Sequence, residues 1–111
     1  YSNGGHFPFP FLFNNDEVVQ LKTRSAPVGM FDFTQYKDLT LELPEKFRLT
    51  VFSDGILEIL QEQDTEQQIE ELKKMLNTSK LNLNNFIDKL TDNGETSLLD
   101  DITALSIEKG L

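Results

Sequence analysis

"FRLTVFSDGILEIL", Phe47 to Leu60, changes character in its middle. Its first six residues are β-rich and apolar on nearly both faces, which predicts a central strand. The run stops at Ser53-Asp54-Gly55, and a helix-like apolar pattern follows from Ile56. A strand that yields at a glycine to a helix leaves a carboxylate at the end of a sheet. Two readings of Asp54 compete. Asp-Gly is among the commonest turn pairs, because an Asp side chain can bond the backbone of its own turn. A carboxylate at a strand end can equally ligate a metal ion or attack as a nucleophile.

Outward from this stretch the chain reads as strands, then helices, then a last strand. Phe7 to Phe13 alternates aromatic residues with proline, Asn14 to Glu17 is a polar turn, and Val18 to Leu21 is apolar again, which predicts a hairpin with an irregular edge strand. "SAPVGM" (25–30) is a loop. "LTLEL" (39–43) alternates, so a half-buried strand is expected with Leu39, Leu41 and Leu43 on one face. Thr65 with Gln68 fits a capping box. Ile69, Leu72 and Leu76 then fall on one helical face, and Glu70 is placed to pair with Lys74. A second helix carries Leu83, Phe86, Ile87 and Leu90 and stops at Asp92-Asn93-Gly94. "ITALSI" (102–107), apolar on both faces, predicts a buried strand. About five strands and two main helices make an α+β domain that looks incomplete.

Composition narrows the chemistry. The 111 residues suffice for one small domain with a modest core. The chain opens at Tyr1 with neither Met nor a targeting segment, which points to a piece of a longer protein. No apolar run reaches membrane-spanning length. There is no cysteine and one histidine, His6, so thiolate or multi-histidine metal sites and cysteine nucleophiles are excluded. A net charge of −9 disfavours nucleic acid and anionic membrane as partners. Any metal site must then be built from oxygen ligands, which suits magnesium, manganese or calcium.

Asp54 follows one predicted strand and Asp100-Asp101 precede another. If those strands are antiparallel neighbours, Asp54 and Asp100 meet at one edge of the sheet. Clustered carboxylates repel and call for a cation. The competing nucleophile reading follows the haloacid-dehalogenase phosphatases, whose strand leads into Asp-x-Asp-Gly. The nucleophile position here is Phe52, which cannot attack phosphorus.

"NGGHFPFPFLF" (3–13), "APVGMF" (26–31), "FRLTVFSDGILEI" (47–59) and "LLDDITALSI" (98–107) occur in an order and spacing that resembles the C-terminal half of a PPM-type metal-dependent protein serine/threonine phosphatase. The bacterial branch typified by the sporulation and stress-response phosphatases is the nearest in pattern. The resemblance implies a β-sandwich flanked by helices, with residues 1–111 as the C-terminal portion of one domain. It implies metal ligation by Asp54 and Asp100, with Asp101 as a neighbouring or alternative ligand, and close backbone approach at Gly55. Asn3, Gly5 and His6 match a family motif and are expected to be structural. Asp16, Asp32, Asp38 and Asp92 match no ligand position.

The resemblance further implies two Mn²⁺ or Mg²⁺ ions in the complete domain. Water activated there attacks phosphoserine or phosphothreonine directly, with no phosphoenzyme. The implied substrate is a phosphoprotein, an anti-sigma-factor antagonist. The implied setting is cytoplasmic, beside a receiver or sensor domain. The family's first half, with its aspartate and Asp-Gly pair, is absent from these residues, so this chain alone is expected to be inactive. Its uncovered sheet face is expected to favour homo-oligomers. The alternative is a non-catalytic, phosphatase-like adaptor or regulatory interaction domain of a response regulator.

Overall fold

The computed structural model describes residues 1–60, 64–91 and 101–111. Among them the elements run β1 (Phe11–Phe13), β2 (Val18–Gln20), β3 (Phe47–Phe52), α1 (Gly55–Glu58), α2 (Thr65–Leu76), α3 (Leu83–Leu90) and β4 (Ala104–Lys109). The strands form one antiparallel sheet in the order β2-β1-β3-β4. The α+β class expected from the sequence is the one observed.

Alternation along the strands sorts the sheet into two faces. Arg48, Thr50 and Phe52 of β3 share a face with Phe11 and Phe13 of β1, and with Ala104 and Ser106 of β4. The helices cover this face. Phe52 stacks on Phe86 of α3 at 5.8 Å and meets Phe11 edge-on at 6.0 Å. Ile69, Leu72 and Leu76 of α2 complete the core. Full burial of such a side chain contributes about 1.5–3 kcal/mol.

The hairpin is shorter than the pattern suggested. Pro8 and Pro10 lack an N–H, so ladder pairing starts at Phe11, and the Phe7–Pro8 bond is cis. Its turn is held by Asn14, whose side-chain oxygen accepts from the N–H groups of Asp16 and Glu17 at 3.2 and 3.1 Å. Asn15 takes a positive φ of 77° there, which Asn tolerates better than most residues.

Four local expectations are corrected. Residues 39–43 form no strand: β3 already has β1 and β4 on its two sides, so no ladder is open to them beside it. Leu39 instead exchanges two hydrogen bonds of 2.7 Å with Tyr1. α2 is capped by Asp64, not Thr65; the Asp64 carboxylate accepts from the Glu66 N–H at 3.0 Å, and the Gln68 side chain turns away to the Leu57 carbonyl. Glu70 pairs with Lys73, one position short of Lys74, at 3.4 Å. The last strand is 104–109 and lies at the sheet edge, with Leu105 59% and Ile107 52% exposed. Helices cover only the other face, so apolar alternation there did not mean burial. The expected helix stop at Asp92-Asn93-Gly94 lies outside the described residues, and α3 ends at Leu90.

The second face carries Leu49 and Val51 opposite Ile107 and Leu105. The strip with Leu39, Leu41 and Leu43 shares a cavity of about 560 Å³ with Leu49 and Val51. The side chains of Leu105 and Ile107 remain open to solvent.

Candidate metal centre

The end of β3 is tied to the start of β4 through Ser53. Its N–H donates to the Thr103 carbonyl at 2.8 Å, and its hydroxyl oxygen accepts from the Thr103 N–H at 2.8 Å. The hydroxyl also donates to the Asp101 carbonyl at 3.3 Å. Phe52 pairs with Ala104, so the chain leaves β3 just where it enters β4. Asp54 and Asp101 therefore stand at the same end of the sheet, on the neighbouring antiparallel strands the sequence suggested. Asp100 lies outside the described residues.

Gly55 is buried at the start of α1. A Cβ added to it would run into the Asp101 carbonyl oxygen. Only glycine permits this approach of two backbones, which sets the Asp101 carbonyl against the residue that follows Asp54.

Asp54 precedes a helix but does not act as a helix cap. Its backbone is helical (φ −64°, ψ −22°), and its side chain makes no capping bond. Asp64 and Asn82, before α2 and α3, both use their side-chain oxygens to cap. Asp54 and Asp101 are both exposed. Their oxygens match in kind the donors that hard divalent ions take. They are two carboxylates, and no group of three potential metal ligands forms among the described residues. In type such donors suit Mn²⁺ or Mg²⁺; in number they fall short of a coordination shell.

The N-terminal motif lies elsewhere in the hydrogen-bonding scheme. The Asn3 side chain, buried, accepts from the His6 N–H at 2.7 Å and donates to the His6 carbonyl at 3.2 Å. Gly5 has φ +91°, and a Cβ there would lie 2.6 Å from the Pro27 Cα. The loop 25–30 docks here, with the Val28 N–H donating to the Gly4 carbonyl at 3.0 Å. Asp16, Asp32 and Asp38 are exposed; Asp92 lies outside the described residues.

Two important residues went unremarked in the sequence. Ser53 stitches the two strand ends, and a hydroxyl just before Asp-Gly at a strand end was its only signal. Arg48 is 1% exposed inside the helix-covered face. It donates to Glu108 at 2.6 Å and to the Thr78 and Ser79 carbonyls at 2.8 and 3.1 Å, and lies over the Phe13 ring at 5.2 Å. No linear pattern announces those partners.

An α+β domain with two exposed aspartates at one end of its sheet is the class these observations define. The family model for Stage II sporulation protein E (SpoIIE) matches residues 1–109. The chain belongs to the SpoIIE family, in the PPM-type phosphatase branch, and is a phosphatase-related domain. A comparison with curated proteins returns no match. Among the described residues no helix is long and apolar enough to cross a membrane.

Proposed function

We propose that this domain is the C-terminal portion of a PPM-type protein serine/threonine phosphatase, and that Asp54, Asp100 and Asp101 contribute ligands for Mn²⁺ or Mg²⁺. Membership of the SpoIIE family supports the reaction class. The observation that carries the site is Asp54 itself, exposed at a stitched strand junction and making no capping bond where two comparable residues cap. A turn-only role predicts the opposite.

In this reading each residue has a distinct part. Ser53 fixes the spacing between the strand ends through its bonds to Thr103 and Asp101. Gly55 lets the Asp101 backbone come close. Asp54 and Asp101 offer carboxylate oxygens, and Asp100 is the third candidate donor. Bound divalent ions supply an activated water and neutralise charge on the phosphoryl oxygens. The rest of the domain supplies the remaining ligands and covers the face bearing Leu105 and Ile107. The substrate is a phosphoprotein, with an anti-sigma-factor antagonist as the specific case. A cytoplasmic signalling protein with a receiver or sensor domain is the setting.

The test is Asp54→Asn in the intact protein. Manganese-dependent phosphate release from a phosphoserine protein should fall at least about a hundredfold. The metal-free melting temperature should be little changed, because Asn keeps the size and removes a charge that makes no capping bond. Full turnover together with an unchanged metal-induced rise in melting temperature would make Asp54 a turn residue. No phosphate release from the wild-type protein would favour the adaptor reading.

A further inference from the structure

A second polar site lies between β2 and α2. A cavity of about 370 Å³ there is lined by Gln20, Lys22, Arg24, Glu66, Glu70 and Lys73, among others. Three cations meet in a chain of net charge −9. Lys22 and Arg24 are exposed and form no ion pair among the described residues. Lys73 is engaged by Glu70 at 3.4 Å. The amide nitrogen of Gln20 is buried without a hydrogen-bond partner. Such a donor costs free energy unless an acceptor reaches it. Cations and an unsatisfied donor in one cavity together ask for an oxyanion, against which Glu66 and Glu70 set a limit.

The register places this cavity relative to Asp54. Phe11 pairs with both Gln20 and Thr50, so these three are level across the sheet. β2 and β3 are each antiparallel to β1 and so run the same way. β2 ends at Gln20 and β3 at Phe52, so Lys22 and Arg24 run on past the same end of the sheet as Asp54 does. The cations therefore lie toward the same end of the sheet as Asp54.

We infer that the Lys22–Arg24–Lys73 cavity binds an acidic segment of the protein substrate near the phosphorylated side chain. The inference rests on the phosphoprotein reading of the Asp54 site and adds a determinant of substrate choice. Carboxylates of the bound segment face Lys22 and Arg24. Rim charges of this kind act on partner selection more than on the chemical step.

Two fluorescent peptides test it, alike except for a run of three Glu residues in one and three Gln in the other, on one side of a serine. With the intact protein, the Glu peptide should bind about fivefold tighter in low salt, and the preference should shrink as salt rises. Lys22→Glu with Arg24→Glu should abolish the preference, and Glu66→Gln should widen it. Equal binding of the two peptides, survival of the preference in the double variant, or narrowing in Glu66→Gln would overturn the inference. The same peptides carrying phosphoserine separate this result from the enzymatic reading. If neither releases phosphate, the phosphatase proposal fails while the binding preference still stands or falls alone. If both release it at equal kcat/KM and bind equally, the acidic-segment site is wrong and the enzyme is not.

Discussion

Ser53 and Thr103 hold each other by two hydrogen bonds of 2.8 Å, one from each backbone N–H. One acceptor is the Thr103 carbonyl; the other is the Ser53 hydroxyl. The β3–β4 ladder is thereby extended past Phe52 and Ala104 by a side chain, and the strand ends cannot splay apart.

Ser53→Ala removes that side chain's part. The Thr103 N–H loses its acceptor and the Asp101 carbonyl loses a donor, at a cost of about 1 kcal/mol in stability. Urea unfolding at equal protein concentration reads it. On the proposed reading phosphate release should fall as well, because Ser53 no longer ties together the strand ends that carry Asp54 and Asp101. Unchanged stability would show that solvent replaces the Ser53 hydroxyl without loss.

Gly55→Ala places a methyl group against the Asp101 carbonyl oxygen. Alanine is the better helix former, yet the clash with backbone should dominate and destabilise by about 1–3 kcal/mol. A gain in melting temperature would mean that the two backbones part easily and that their close approach is unimportant.

Arg48 joins β3 to β4 and to the connection after α2, and its guanidinium is fully buried. Arg48→Ala leaves the Thr78 and Ser79 carbonyls without their donor and a void over Phe13, and should cost about 3 kcal/mol. Arg48→Lys should recover little, because an ammonium cannot serve three acceptors in that planar fork. Glu108, 40% exposed in its side chain, can turn to water, so Glu108→Gln should be much milder. Chemical denaturation of the three variants gives the order; equal losses for Glu108→Gln and Arg48→Ala would place the stabilisation in the ion pair alone.

Leu105 and Ile107 present their side chains to solvent on the uncovered face. The isolated 111-residue chain should self-associate through that face, and Leu105→Lys with Ile107→Glu should render it monomeric. Sedimentation velocity over a range of concentrations decides. A wild-type chain that stays monomeric at every concentration would show that this apolar strip needs no cover.

How much of this was legible in the linear chain depended on whether the cause was local. Ile69, Leu72 and Leu76 repeat at helical spacing, and they form the buried face of α2. "FRLTVF" is apolar enough on both sides to demand a central strand, and β3 lies between β1 and β4. Ser53-Asp54-Gly55 marks the end of that strand by chemistry that any neighbour in space would leave intact. The pairing of β3 with β4 joins residues about fifty positions apart, and ordering alone suggested it only as a conditional. "LTLEL" and "ITALSI" show where periodicity stops being informative. Both alternate or run apolar, but the first finds no open ladder beside β3 and the second occupies an edge with one face bare. Alternation states which residues share a face; only the assembled sheet decides whether anything covers it. The same limit hid the Arg48 contacts and the Lys22–Arg24–Lys73 cavity. Each is made of side chains brought together by strand register, and register is set by the folding of the whole sheet.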